Sequence, residues 1–136
     1  KGEGFFRPIY IDDLVRGIAM ASRHPDAAGE IFNLSCEGYM FTKDYFTPHY
    51  QWLGKKGPMA VSTKLALRIS AMASVVADLM GNLNEASPST VKQLSTKSWF
   101  SIKKAESILG WKPEVTFEDG MKVTHEWAQE QGLLGK

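Results

Sequence analysis

Residues 7–14 read R-P-I-Y-I-D-D-L, and no other stretch of the chain restricts the fold as much. Pro8 fixes its own φ and biases Arg7 toward extended geometry, while Ile9, Tyr10 and Ile11 are β-branched or aromatic, so a short buried strand is predicted there. Asp12 or Asp13 can then accept hydrogen bonds from the free N–H groups of the next turn, where negative charge also meets the positive end of the helix dipole. A helix is expected from that point. Leu14, Ile18 and Ala21 recur at helical spacing with Val15 and Ala19 beside them, which leaves Arg16 and Arg23 to reach solvent. Pro25 and Gly29 close the helix, and residues 30–35, E-I-F-N-L-S, predict a second short strand.

The later elements are punctuated by capping and breaking residues. Thr42 is placed to cap a helix running to about Trp52, in which Pro48 removes a donor and is expected to kink the helix or split it. Gly54 and Gly57-Pro58 end it. Residues 61–80 are the longest apolar stretch, but Lys64, Arg68 and Asp78 interrupt it, so it lacks the roughly 20 apolar residues of a membrane span. Ser62 or Thr63 can cap this segment as a helix, and Leu65, Ile69, Met72, Val76 and Leu79 form a broad apolar stripe. That stripe is expected to pack on its own domain or on another part of a larger protein. Lipid contact or the wall of an apolar cleft is the alternative. Ser101 caps a short helix that stops at Gly110, a residue free to adopt the left-handed conformation, with Trp111 packing back on the last turn. Thr116 and Asp119 have capping-box spacing before a last helix, whose face carries Phe117, Met121, Thr124 and Ala128.

Composition narrows the class. A chain of 136 residues with 43% hydrophobic and 23% charged residues can bury a core as one globular domain. A net charge of +1 makes no electrostatic case for nucleic acid or for an anionic membrane. Cys36, the single cysteine, excludes an internal disulfide and a cysteine zinc site, and with no signal peptide in view a cytoplasmic setting is expected. The chain begins at Lys1, without an initiator methionine and inside a motif, which suggests a piece of a longer protein.

The order of these segments resembles the C-terminal half of extended short-chain dehydrogenase/reductases, the NAD-dependent epimerase/dehydratase superfamily. There F-R-P-I-Y-I-D-D-L, a helix and G-E-I-F-N-L-S follow one another as they do here. Residues 101–113, S-I-K-K-A-E-S-I-L-G-W-K-P, followed by V-T-F-E-D-G-M and a helix through Trp127, resemble the family's C-terminal signature. The resemblance covers nearly the whole chain and is weakest over residues 55–89. It implies a helix-rich α+β fold, with residues 1–136 as a single substrate-binding lobe without the N-terminal Rossmann nucleotide-binding half. Phe6, Arg7, Tyr10 and Trp99 then fall on the substrate side. The missing Rossmann half and a small-molecule substrate are the implied partners, with a homodimer as a further possibility. NAD or NADP belongs to the full-length parent, and none is expected on this chain.

Chemistry that the family needs is absent from the sequence. No G-x-x-G-x-x-G turn occurs, whose backbone would approach a pyrophosphate at a helix N-terminus. Tyr39 and Lys43 reproduce the Y-x-x-x-K spacing of the family's catalytic pair, but they follow the I-Y-I-D-D-L segment rather than preceding it. Thr42 as a cap also leaves Tyr39 outside the helix, so the pair is read as a loop tyrosine and a solvated lysine. No catalytic residue is assigned. His24, His49 and His125 are isolated, and His125-Glu126 lacks the second histidine of a zincin helix, so no metal site is assigned.

The family pattern also bears on substrate class. Members acting on nucleotide sugars carry a diphosphate-binding arginine where Phe6 stands, and an R-x-x-D pair where an ungapped carry-over finds Val91 and Leu94. Residues 89–102 look more like the 3-beta-hydroxysteroid dehydrogenase and dihydroflavonol reductase branch. The expectation is therefore the substrate-recognition half of an NAD(P)-dependent oxidoreductase acting on an apolar, steroid-like alcohol or ketone, silent as a fragment. The alternatives are the corresponding part of a nucleotide-sugar epimerase or dehydratase using Arg7 on phosphate, and a free-standing binding domain.

Overall fold

A computed structural model describes residues 2–58, 61–81 and 87–134, apart from the side chains of Asp78 and Leu79. In chain order the elements are β1 (Phe5–Phe6), α1 (Ile11–Arg23), a 3-10 turn (Pro25–Ala27), β2 (Met40–Phe41), α2 (Thr42–Trp52), α3 (Thr63–Leu79), α4 (Pro88–Ser95), a π turn (Ala105–Leu109) and α5 (Phe117–Glu130). The fold is helix-rich, with one two-stranded antiparallel sheet among the described residues. The chain divides into two compact units, Lys1–Phe6 with Met40–Ser98 and Arg7–Tyr39 with Trp99–Lys136.

In the first unit β1 pairs with β2, Phe5 opposite Phe41 and Phe6 opposite Met40. Phe5 also donates its N–H to the Thr96 carbonyl at 2.8 Å, which ties the strand to the end of α4. Gly4 makes this approach possible, because a Cβ there would overlap the Leu94 carbonyl and lie 2.9 Å from Ser95 Cα. Thr42 was expected as a cap, yet Phe41 is the N-cap of α2 and Thr42 is its first residue. The buried Thr42 hydroxyl lies instead 3.1 Å from the Gly4 carbonyl and 2.9 Å from that of Leu94, where its one proton serves strand and helix. Pro48 does not split α2, which runs through it as one helix. An aromatic row holds the helix in place: Tyr45 lies 4.2 Å from Phe6 between ring centroids, and His49 lies 5.2 Å from Tyr45 and 4.7 Å from Trp52.

Ser62 caps α3 as expected, its hydroxyl accepting the Leu65 N–H at 3.3 Å. The apolar stripe does not face inward. Leu65, Ile69, Met72 and Val76 are about half exposed or more, while Ser70 is buried in a helix whose principal neighbour is α4. Leu79, the last member of the expected stripe, has its side chain outside the described residues. The buried position is thus taken by a serine, while Leu65, Ile69, Met72 and Val76 are presented outward. Sequence reasoning did not anticipate α4, although Ser87 followed by Pro88 is a start signal, and Ser87 accepts the Thr90 N–H at 3.4 Å.

In the second unit the expected strand over Ile9–Ile11 is absent. Tyr10 is the N-cap of α1, with extended backbone (φ −74°, ψ 143°), and Ile11 already begins the helix. Pro8 can only accept, and it does so from the Cys36 N–H at 2.8 Å, which does not extend into a ladder. Residues 30–35 are likewise not a strand. They have no assigned secondary structure, and Phe32 and Leu34 pack on the core while Ile31 is 84% exposed. The core is Ile102, Ala105, Leu109 and Trp111, with Ile9, Met20, Ala21, Phe32 and Leu34 against it. Trp111 is fully buried, as expected of a residue packing back past Gly110, whose φ of 66° ends the π turn. Thr116 caps α5 as anticipated, accepting the Asp119 N–H at 3.1 Å, whereas Ser101 accepts only the Lys103 N–H at 3.2 Å and the N-cap of the π turn is Lys104, which makes no side-chain cap bond.

Candidate functional site

Two side-chain constellations in the second unit grow out of the R-P-I-Y-I-D-D-L segment, and the aspartates organise the first. Neither Asp12 nor Asp13 caps α1, since the N-cap Tyr10 makes no side-chain cap bond. Asp13, 2% exposed, turns inward. Its carboxylate accepts the Glu114 N–H at 3.0 Å and the Val115 N–H at 2.9 Å, and takes Arg16 at 2.6 Å. The Asp13 carbonyl accepts the Trp111 indole N–H at 3.0 Å. Burial alone would raise the carboxyl pKa, but the Val115 N–H, Arg16 and the Glu114 N–H outweigh it and hold the group below its ordinary value. Arg16, expected in solvent, also lies 3.3 Å from Glu114 and 5.9 Å from the Trp111 ring centroid. One aspartate therefore clasps the loop 111–115 to α1. Gly17 permits the close fit, because a Cβ there would lie 2.6 Å from Leu34 Cδ1 and 3.0 Å from the indole nitrogen.

The second constellation contains Arg7 and Trp99. Arg7 is half-buried and donates one N–H, from Nη2, to the Cys36 carbonyl at 2.7 Å. Its guanidinium carbon stands 5.6 Å from the Trp99 ring centroid. Nε and Nη1 are buried and have no hydrogen-bond partner among the described residues. Burial pushes the Cys36 thiol up, with the neighbouring guanidinium pulling the other way.

The four residues expected on the substrate side are therefore not equivalent. Arg7 and Trp99 meet directly. Tyr10 is half-buried at the start of α1, where its ring would lie 3.1 Å from a Cβ placed on Gly120. Phe6 belongs to the other unit and packs on Tyr45, with Phe46 at 6.0 Å between centroids. Tyr39 precedes β2 and Lys43 lies in the first turn of α2, so the two do not share a helical face.

The start of α1 does not fit a dinucleotide. It has no glycine turn, and its first turn carries Asp12 and Asp13, which would repel a pyrophosphate where backbone N–H groups should bind one. Among the described residues no group of three or more His, Cys, Asp or Glu side chains is placed to hold a metal, and no helix is long and apolar enough to cross a membrane.

No known family profile matches the chain. It is 28% identical over 122 residues to a UDP-glucuronate 4-epimerase of Thermodesulfobacterium geofontis (strain OPF15), a match that covers 89% of this chain and 29% of that protein. The match supports a relationship to the C-terminal part of the NAD-dependent epimerase/dehydratase superfamily. In fold the chain is similar to the crystal structure of gox2253, with a TM-score of 0.64 and 20% identity over 97% of this chain and 39% of that one. The chain thus spans well under half the length of either protein.

Proposed function

We propose that the chain is the substrate-side, C-terminal part of an NAD(P)-dependent enzyme of the epimerase/dehydratase superfamily, whose parent moves a hydride between nicotinamide and an alcohol or ketone carbon. The similarity to UDP-glucuronate 4-epimerase over 89% of the chain carries this reading. It favours the nucleotide-sugar alternative over a steroid-like substrate. The steroid-like expectation rests on Phe6, on Val91 and Leu94 and on residues 89–102, and the similarity to UDP-glucuronate 4-epimerase lends it no support. When bound, the cofactor supplies the hydride acceptor and donor, and this chain's role is recognition.

A stripe on α1 supports a missing partner. Ile11, Val15 and Ile18 recur on one side of the helix and are 59%, 56% and 57% exposed, opposite the face that buries Asp13 and Gly17. Apolar side chains at such spacing ordinarily face a neighbouring element. The nucleotide-binding half is the occupant proposed for them.

The test uses the protein as its gene encodes it, assayed for NAD(P)H-linked turnover with a panel of UDP-sugars and hydroxysteroids. Conversion of a nucleotide sugar is the expected outcome. Turnover of hydroxysteroids alone would restore the apolar class, and absence of any cofactor binding would leave a binding domain. Calorimetry on the 136-residue chain with NAD(H) and NADP(H) should give no heat of binding. A dissociation constant of about 10 μM or tighter, some 7 kcal/mol of binding free energy, would place the cofactor on the wrong half.

A further inference from the structure

We infer that a cleft along one side of α1 is a second binding site, built for a carboxylic acid with a compact apolar body. The inference goes beyond the proposed function and does not rest on it. Arg16, Ala19, Met20 and Arg23 form the helix wall of the cleft, which His24, Pro25 and Leu109 close to a volume of about 440 Å³. That volume falls among clefts that hold small molecules, roughly 300–1,000 Å³. The four helix residues recur at i, i+3, i+4 and i+7, so a ligand lies along the side of α1 and does not face its last carbonyls. At 3.6 residues per turn this side is turned roughly 120° away from Ile11, Val15 and Ile18, and the partner proposed for those residues leaves it open. Arg23 stands about 18 Å along the helix axis from Ile11, where the substrate-side segment enters α1, so the two sites are separate.

The charges lining the cleft select the ligand. Arg16 is already opposed by Asp13 at 2.6 Å and Glu114 at 3.3 Å, and its Nη2 also donates to the Lys112 carbonyl. Arg23 is exposed and has no ion pair or hydrogen bond among the described residues. One positive charge is therefore left uncompensated. His24 Nδ1 accepts the Asp26 N–H at 3.2 Å, which leaves the ring proton on Nε2 as a second donor. Between these polar groups Ala19, Met20, Pro25 and the buried Leu109 supply an apolar floor. A single carboxylate can take both guanidinium N–H groups of Arg23 in the forked, charge-assisted geometry while its apolar body covers that floor. A phosphate brings a second negative charge, and Arg16 has none to spare for it. A neutral ligand leaves Arg23 as it stands.

The test is a nuclear magnetic resonance titration of the 136-residue chain, isotope-labelled at methionine methyls and arginine side chains, with phenylacetate, phenylacetamide and inorganic phosphate. Phenylacetate should shift the Met20 methyl and the Arg23 Nε–H together and saturably in the millimolar range. Phenylacetamide, the same shape without the charge, should bind about fivefold more weakly. Arg23→Gln should weaken phenylacetate by a similar factor and leave the melting temperature unchanged, because the side chain is exposed and unpaired in the fold. The absence of any saturable response to phenylacetate overturns the site. Equal affinity for acid and amide, or for wild type and Arg23→Gln, overturns the carboxylate assignment. A response of Arg23 to phosphate with Met20 unmoved shows a surface cation without a cleft ligand, and overturns the inference as well. Each of these results leaves the proposed function untouched, since that reading is decided by turnover of the whole protein.

Discussion

Replacing Asp13 by Asn tests whether a single buried carboxylate joins loop 111–115 to α1. The amide keeps one acceptor oxygen but turns an NH2 toward a donor, either the Val115 N–H or Arg16, each now within 3 Å of a carboxylate oxygen. Losing a hydrogen bond to a charged acceptor costs about 1.5–3 kcal/mol, and the stranded donor at this 2%-exposed site adds to that. Arg16 is 31% exposed and can recover hydration, so its lost ion pair adds little. The sum is about 2–4 kcal/mol, a large share of the 5–15 kcal/mol typical of folded domains. Urea unfolding followed by near-ultraviolet circular dichroism, with the buried Trp111 indole as reporter, measures it. Asp12→Asn is the control, since Asp12 is exposed and loses at most about 1 kcal/mol of helix-dipole stabilisation. The two variants unfolding at the same urea concentration would refute the clasp. The pH dependence has a definite sign. Because the folded carboxyl is held below the ordinary 3.8, its stabilisation is complete above that pH and is lost as pH falls through the folded value. The gap between wild type and Asp13→Asn should therefore be constant near neutrality and shrink below pH 3.8.

Three further outcomes are expected. Gly17→Ala would ordinarily stabilise a helix by about 0.5–1 kcal/mol, but a Cβ 2.6 Å from Leu34 forces repacking that costs about 1–3 kcal/mol, so thermal melting should show net destabilisation. Gly4→Ala drives a Cβ into the Leu94 carbonyl, and amide exchange should show loss of protection at Phe5 and Thr42, whose N–H groups bond the Thr96 and Gly4 carbonyls. The Cys36 thiol, pushed up by burial, should react more slowly with iodoacetamide at pH 8 than a free thiol of pKa about 8.5, and urea should abolish the difference.

Local punctuation was legible in the sequence. Ser62 and Thr116 cap the helices they precede, and Gly110 ends its turn, because each of these interactions closes within a few residues and answers to backbone geometry alone. Arg7 and Trp99 were identifiable as candidates from the motif around them. What the motif did not disclose was pairing at long range. The apolar residues at Ile9–Ile11 suit a strand, yet a strand exists only where another edge meets it, and the edge at Met40–Phe41 meets Phe5–Phe6 instead. Asp13 has the chemistry of a cap, but Val115, 102 residues further on, competes for the same oxygens and wins by burial. The stripe on α3 has the spacing of a core face, yet Leu65, Ile69, Met72 and Val76 are exposed and Ser70 is the buried residue. Whether Arg7 would be satisfied depended on how many acceptors the folded chain brought to it, and the Cys36 carbonyl, 29 residues away, takes only one of its hydrogens. Local sequence sets what each side chain can offer, and tertiary structure decides which partner reaches it, because hydrogen-bond and packing partners remote in the chain compete for the same few atoms.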